Sequence, residues 1–192
     1  MRGKKPPYII LFIALIFMIP QTGHADKYSL MPEFKGKHAV TGSARFHVEH
    51  SAFTALPFDD GDFGYLLAYE YHEGLGLWQA GVEYAPSPDG DPDVNYVLTP
   101  QVSLILQDRI FRAGMGVLWS YVARETTETE PVEPVIDGWS SPYYQFNIGL
   151  NFPILERFSI GIDSYYVFEG WGELKEFDIG DIEFGASVSV KF

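Results

Sequence analysis

Hydrophobic and polar residues alternate along the chain from residue 38 onwards. In the last segment, small or polar residues occupy one face of an extended strand and the other face carries Phe184, Ala186, Val188, Val190 and Phe192. Such segments recur at about ten residues each, the length of a tilted membrane strand. Pro100 cannot donate a ladder hydrogen bond and predicts a bulge or kink in its segment. The pattern predicts eight strands, at 38–49, 62–73, 75–85, 94–106, 109–121, 142–152, 157–168 and 180–192.

The connections between these strands alternate in length. An even-stranded up-and-down barrel has this arrangement when both chain ends lie on the side of the short turns. We therefore predict an all-β, eight-stranded antiparallel transmembrane barrel over residues 38–192. The centre of the longest connection has the composition of a segment without regular structure. The tight turns are Glu73-Gly74, Gln107-Asp108 and residues 153–156, and the long, acidic loops are residues 50–61, 86–93, 122–141 and 169–179.

Aromatic and glycine residues predict which face of the barrel contacts lipid. On the fifth strand, Phe111 lies near one end and Trp119 near the other, with Met115 between them. Aromatic belts on both sides of an aliphatic band are typical of a surface that crosses a bilayer. The opposite face carries glycines, which suit a crowded eight-stranded interior. These glycines are Gly64, Gly81, Gly114, Gly116, Gly149, Gly161 and Gly185.

The N-terminal segment has the composition of a cleavable signal peptide. A basic start precedes an almost unbroken apolar run from Tyr8 to Pro20, and Ala25 supplies a small residue before the predicted cleavage site. The run is shorter than the roughly 20 residues that a helical membrane span needs. We therefore predict a signal peptide at residues 1–25 and a periplasmic lead-in at residues 26–37.

Charge and cysteine content narrow the classes of function. The chain has a formal charge of −13, and removal of residues 1–25 takes away three basic residues and no acidic one, which leaves −16. Such an acidic surface argues against nucleic acid and other polyanions as partners. The absence of cysteine excludes a lipid-anchored lipoprotein and a disulfide framework. The sequence predicts no cofactor.

The signal peptide, the eight amphipathic segments and the terminal run of residues 188–192 make the chain similar to the small outer-membrane barrels of the OmpA, OmpX and OmpW type. The resemblance implies a Gram-negative outer membrane, periplasmic termini, extracellular long loops and a monomer. It also implies three partners: outer-membrane lipid, lipopolysaccharide and the barrel-assembly machinery, for which Phe192 is the assembly signal. Full-length OmpA continues after its barrel into a peptidoglycan-binding domain, whereas the last predicted strand here reaches Phe192. We therefore expect no such domain.

Charged residues on the inward face form the candidate site. Polar groups inside a narrow barrel have to satisfy one another, so we expect Arg45 and Arg112 to pair with carboxylates and fill the lumen. A plugged barrel with a structural or surface-interaction role is the favoured hypothesis. The alternative is a narrow OmpW-like channel for small or hydrophobic solutes, with a preference for cations. The predicted lumen network is Arg45, His47, Glu49, Glu70, His72, Glu83, Arg112, Asp163 and Glu183, and Gln79, Gln101, Asn147 and Lys191 share its face.

Two further motifs have plain structural explanations. His47, Glu49 and Ser51 share a face near the outer rim, where lipid A-modifying barrels act. Residues two and four apart on a strand are, however, about 6.6 and 13 Å apart, too far for the contact of about 3 Å that a nucleophile and its base require. The acidic run at residues 89–93 has the oxygen spacing of a calcium loop but lacks that loop's later glycine and glutamate. We predict no catalytic residue and no metal site, which leaves a lipid A-modifying enzyme as the least favoured hypothesis.

Overall fold

The computed structural model describes residues 37–49, 56–89, 91–125, 138–175 and 177–192. The predicted signal peptide, and the lead-in up to residue 36, lie outside these ranges. Within the described residues, no helix combines the length and the apolar composition needed to cross a membrane. Two 3-10 turns, Glu173–Lys175 and Ile179–Asp181, lie between the last two strands. The strands are β1 (His38–Phe46), β2 (Phe63–Glu73), β3 (Gly76–Pro86), β4 (Val94–Asp108), β5 (Phe111–Leu118), β6 (Tyr121–Arg124), β7 (Gly138–Trp139), β8 (Tyr143–Leu155), β9 (Phe158–Phe168) and β10 (Ile182–Lys191).

Eight of these strands form a closed antiparallel barrel. Neighbours along the chain pair with one another, β5 pairs with β8, and the ring closes where β1 pairs with β10. In this closing pair, Ala39 lies opposite Lys191 at one end and Phe46 lies opposite Phe184 at the other. The short β6 and β7 continue beyond the ring, and β6 pairs with the first residues of β4. The predicted eight-stranded barrel is therefore confirmed.

Side chains alternate between an apolar outer face and a polar inner face. Leu67 and Ile162, on the outer face, are 66% and 57% exposed, whereas Glu70 and Glu183, on the inner face, are each 1% exposed. In water, burial of one such aliphatic side chain contributes about 1.5–3 kcal/mol, so a soluble barrel would turn this face inwards. The exposed aliphatic band is instead suited to contact with lipid, as predicted.

Aromatic residues mark both ends of this band. Trp78 and Phe111 are exposed at the end of the short turns, which we call the lower end. Tyr65 and Tyr84 are exposed at the end of the long loops, which we call the upper end. Aliphatic side chains such as Val82 lie between them. This arrangement, with an aromatic belt on each side of an aliphatic band, is the one expected at the two interfaces of a bilayer.

No β-bulge lies at Pro100, one of the two irregularities that the sequence predicted there. The register of β4 against β5, with Gln101 opposite Leu118, continues past Pro100 to Tyr96 opposite Ala123, and the shift in β4 lies beyond this point, between Val94 and Tyr96. Trp119 donates its backbone N–H to the Pro100 carbonyl at 3.1 Å, but Pro100 has no N–H with which to return the bond. Because this hydrogen bond is missing, the strand opposite Pro100 is interrupted between Leu118 and Tyr121. The interruption divides it into β5 and β6.

The largest difference from the predicted strand ends is in the longest loop. The predicted loop 122–141 begins inside β6 and ends after β7, and residues 126–137 lie outside the described ranges. The strand persists because Val122 is fully buried and belongs to one hydrophobic cluster with Val97. At the lower end, β8 continues past a register shift at Pro153 to Leu155, so the turn there is shorter than predicted.

Candidate functional site in the barrel lumen

Four buried ionisable side chains converge in the upper half of the lumen, and we call Arg45, His47, Glu83 and Glu183 the upper cluster. Arg45 Nε donates to Glu183 Oε2 at 2.5 Å, and Arg45 Nη1 lies 3.6 Å from Glu83 Oε2. The His47 ring lies between the same carboxylates, with Nδ1 2.9 Å from Glu183 Oε1 and Nε2 3.0 Å from Glu83 Oε1. Each carboxylate therefore contacts both basic side chains, and the cluster is electroneutral when His47 carries its second proton.

A glycine gives the upper cluster its space. A Cβ atom at Gly64 would lie 2.6 Å from Glu83 Oε1 and 2.8 Å from His47 Nε2, closer than side chains pack in protein interiors. By contrast, a Cβ atom at the outward Gly42 would meet no atom within 4 Å. The inward glycine thus permits a carboxylate and an imidazole to approach the barrel wall.

A second ionic group occupies the lower half of the lumen. This lower cluster consists of Glu70, His72, Gln79, Arg112 and Asp163. Glu70 Oε1 accepts from Gln79 Nε2 at 2.9 Å and from Arg112 Nη2 at 3.4 Å, and Glu70 Oε2 lies 3.0 Å from His72 Nε2. Arg112 Nε lies 3.7 Å from Asp163 Oδ1. Each lumen arginine therefore lies between two carboxylates from different strands.

Gln145 connects the upper cluster to the opposite wall of the barrel. Its Oε1 accepts from Arg45 Nη1 at 3.2 Å, and its Nε2 donates to Gln101 Oε1 at 2.8 Å. The Arg45 guanidinium also lies over the Tyr165 ring, 4.4 Å from its centroid. The sequence analysis missed Gln145, although it lies two residues from Asn147 and therefore on the same inward face.

An apolar layer, which the sequence analysis did not predict, lies above the upper cluster. Phe58, from the loop between β1 and β2, stacks on His47 with ring centroids 3.9 Å apart and planes 3° apart. Parity marks only part of this layer as inward: Ala85 is two residues from Glu83, but Val94 lies beyond a register shift in β4 and Phe58 lies in a loop. The layer comprises Leu56, Phe58, Ala85, Val94, Val97, Leu118, Val122, Tyr143 and Val167.

Two small cavities in the lumen differ in their lining. The upper cavity borders the apolar layer and the upper cluster, and the lower cavity borders the lower cluster; each is about 10 Å³, room for about one water molecule. Around the lower cavity, three buried atoms make no hydrogen bond in the described part of the chain: Arg112 Nε, Asn147 Oδ1 and Asp163 Oδ1. Buried polar atoms of this kind bind ordered water. The lower cavity is therefore suited to hydration, whereas the upper cavity lies between the upper cluster and the apolar layer.

The two clusters contain all but one member of the predicted lumen network. The exception is Glu49, which lies beyond the end of β1 and is exposed. Its backbone N–H donates to Asp60 Oδ1 at 3.0 Å. The strand ends at Phe46, so the alternation that predicted an inward Glu49 stops before it reaches this position. The prediction that Glu49 belongs to the lumen network is therefore corrected.

The two remaining motifs are described only in part. Ser51 lies outside the described ranges, and His47 is enclosed by carboxylates from other strands. In the acidic run, Asp91 Oδ2 accepts from Arg124 Nη2 at 2.5 Å, and Asp89 donates its backbone N–H to the Asp62 carboxylate at 2.9 Å. No three His, Asp or Glu side chains within the described ranges are arranged to hold a metal ion. The acidic loops are thus tied to one another.

A closed eight-stranded barrel with an apolar outer wall and an ionic lumen defines a fold of the outer-membrane type. The crystal structure of Neisserial surface protein A (NspA) is similar, with a TM-score of 0.50 and 13% identity over 82% of this chain and 98% of that chain. The N-terminal β-barrel domain of Pseudomonas aeruginosa OprF gives a TM-score of 0.49 and 10% identity over 82% and 98% of the two chains. The Yersinia pestis outer membrane protein Ail, in a phospholipid bilayer nanodisc, gives 0.43 and 12% over 82% and 100%.

No protein-family model and no curated protein sequence matches the chain. The fold is that of the small eight-stranded outer-membrane barrels, and the resemblance inferred from the sequence is confirmed at this level.

Proposed function

We propose that the chain is an integral outer-membrane barrel with a closed lumen and a structural or surface-interaction role. The observation that carries the proposal is the apolar layer on top of the upper cluster, with the Phe58 ring lying flat on His47. An ion on this route has to displace an apolar ring and then separate Arg45 from its carboxylates. Loss of one partner of a buried ion pair costs about 3–5 kcal/mol, so such a route is closed at rest. The outer wall and the extracellular loops are then the surfaces through which the protein acts.

Planar-bilayer recording of the refolded protein tests this proposal. We expect no stable unitary conductance from the wild type, whereas a general porin reconstituted in the same way conducts. A variant that combines Phe58→Ala with Arg45→Ser is expected to admit small ions, once a heat-modifiability gel has shown that it folds. Stable channels formed by the folded wild-type protein would contradict the proposal.

A narrow channel is the second candidate. It is favoured by the buried polar atoms around the lower cavity that make no hydrogen bond within the described residues. Asn147 Oδ1 and Asp163 Oδ1 present two oxygens that make no hydrogen bond among the described residues. A hydrated lower lumen becomes a path once the segment at Phe58 leaves the barrel mouth. The same recordings distinguish this candidate, because its openings would prefer cations and would be lengthened by Phe58→Ala.

We further propose that the protein has no catalytic activity. His47 is the natural candidate for a base, but both of its ring nitrogens lie beside carboxylates and Phe58 covers its ring. Within the described part of the chain, the polar contacts of the His47 ring are with the carboxylates of Glu83 and Glu183. Mass spectrometry of lipid A from cells with and without the protein is expected to give the same acyl pattern, and a changed pattern would contradict this part of the proposal.

The orientation that we propose places the termini and short turns in the periplasm and the long loops outside the cell. Lipid, lipopolysaccharide and the barrel-assembly machinery are then its partners, and it acts as a monomer. Because the chain has no cysteine, single cysteines report orientation cleanly. On intact cells, an impermeant maleimide is expected to label Ser141→Cys in a long loop and not Arg157→Cys in a lower turn; the reverse pattern would contradict the orientation.

A further inference from the structure

The loop between β9 and β10 folds down against the outer wall of the barrel. Alternation along β9 places Val167 in the lumen and Tyr166 and Phe168 on the outer face. Phe168 is nevertheless only 1% exposed, whereas Ile162, on the same outer face lower down, is 57% exposed. Other side chains of the protein therefore cover the outer wall at the upper end of β9.

Two aromatic side chains of this loop provide the cover. The Trp171 ring has its centroid 5.5 Å from that of Phe168 and 5.8 Å from that of Tyr144 on β8. The Phe177 ring has its centroid 4.7 Å from that of Tyr166. Aromatic pairs at these separations stabilise by about 0.5–1.5 kcal/mol each beyond the area they bury. The loop is thus attached sideways to the wall of the barrel and not over its mouth.

The backbone of the loop is shaped for this position. Residue Asp178 caps a 3-10 turn, where its Oδ1 accepts the Gly180 N–H at 2.9 Å. Glu173 Oε2 accepts the Glu169 N–H at 2.8 Å. Two acidic side chains of the loop, Glu173 and Asp178, therefore shape its turns.

The remaining surface of these apolar side chains is open. Trp171 is 56% exposed, Phe177 is 54% exposed and Ile179 is 77% exposed. On β10, directly after the loop, the outward Phe184 belongs to the aromatic belt of the barrel and is exposed as well. The loop therefore adds exposed apolar side chains on the outer side of the barrel, which also carries the band that faces lipid.

We propose that this loop, through Trp171, Phe177 and Ile179, is a lateral anchor that lies in the outer-leaflet interface and contacts bilayer lipid. The proposal rests on the membrane insertion stated under Proposed function. Large aromatic rings with a polar edge are favoured at the level of lipid headgroups, and the loop adds such rings outside the circle of strands. Lipid is the occupant because Trp171 and Phe177 lie against Tyr144 and Tyr166, on the outer face of the barrel that also faces lipid.

Quenching of tryptophan emission by brominated lipid tests the proposal. The chain has four tryptophans, so three single-tryptophan variants are made by Trp→Phe substitution, each retaining Trp171, Trp78 or Trp139. Trp78 is the positive control in the lower belt, and Trp139 is the control in the β7 extension beyond the ring. Each variant is refolded into vesicles of phosphatidylcholine with or without bromine on its acyl chains, and a heat-modifiability gel checks its folding.

The expected result is that bromine lowers the emission of Trp171 as far as that of Trp78 and leaves Trp139 much less affected. A Trp171 signal quenched no more than that of Trp139, with Trp78 quenched, would overturn the lateral anchor alone. An unquenched Trp78 would overturn membrane insertion and with it the proposed function. Protection of Trp171 from both bromine and aqueous acrylamide, lost at high lipid-to-protein ratio, would assign the patch to a second copy of the chain and overturn contact with lipid.

Discussion

Replacement of Arg45 by Met tests whether the upper cluster is held by its charges. Arg45 donates to Glu183 at 2.5 Å and to Gln145 at 3.2 Å, and lies 3.6 Å from Glu83, with all of these groups buried. Without the guanidinium, two carboxylates share the single imidazole of His47. Breaking a buried pair by removal of one partner costs about 3–5 kcal/mol, and we expect Arg45→Met to lower the free energy of unfolding by this amount.

A double-mutant cycle isolates the charge from the packing. Glu183→Gln in the Arg45→Met background removes the uncompensated charge, so the double variant is expected to be more stable than the sum of the two single changes predicts. Contacting residues in one ionic network show coupling of about 0.5–3 kcal/mol, and a value near the upper end is expected here. Arg157→Met, at an exposed position in a lower turn, serves as the control and should change stability little.

Urea titration of folding into phospholipid vesicles, followed by tryptophan emission, provides the measurement. The comparison uses midpoints at equal slope, because a change in slope would report a different denatured state. A loss below about 1 kcal/mol for Arg45→Met, or strict additivity in the cycle, would refute the view that this arginine is the cationic centre of the lumen.

The same titration checks three further changes. Gly64→Ala places a methyl group against the upper cluster and should cost about 1–3 kcal/mol, while Gly42→Ala, which meets open space, should cost little; equal effects would contradict the close approach. Pro100→Ala supplies a backbone N–H that can donate to the Trp119 carbonyl, and should stabilise the protein by about 0.5–1.5 kcal/mol. A loss of stability would show that proline is favourable at this position. Phe58→Ala removes the ring at the barrel mouth and should cost up to about 3–5 kcal/mol, and an unchanged midpoint would mean that this loop does not close the lumen.

The strands and their faces could be predicted from the sequence because both depend on local order. Neighbours such as Ile162 and Asp163 point to opposite sides of a strand wherever the chain is extended, so parity separates lipid from lumen. Aromatic residues at strand ends then distinguished an outer wall from a soluble core. Glu49 shows the limit of this argument, because parity holds only as far as the strand extends.

The partners inside the lumen could not be predicted in the same way. Arg45 and Glu183 are 138 residues apart, and their contact depends on the stagger of strands around the closed ring. That stagger is a property of the whole barrel and leaves no mark on the pattern of a single strand. The apolar layer was missed for a related reason, since Val97 and Val122 lie in segments where apolar residues occupy both faces. The inward turn of the segment at Phe58 depends on this cavity and so could not be predicted either.

The closing pair of β1 and β10 has a consequence for how the molecule assembles. Thr41 and Ser189 share a hydroxyl hydrogen bond at 2.7 Å across 148 residues of chain. Loop-closure entropy rises by about 0.6 kcal/mol for each doubling of length, so joining these ends costs about 2.4 kcal/mol more than closing a ten-residue loop. Contacts between residues so far apart in the chain slow folding. Until β1 and β10 pair along this seam, both strands are edge strands with unpaired backbone amides. Until the seam closes, the polypeptide is therefore open to pairing with other chains at both of these edges.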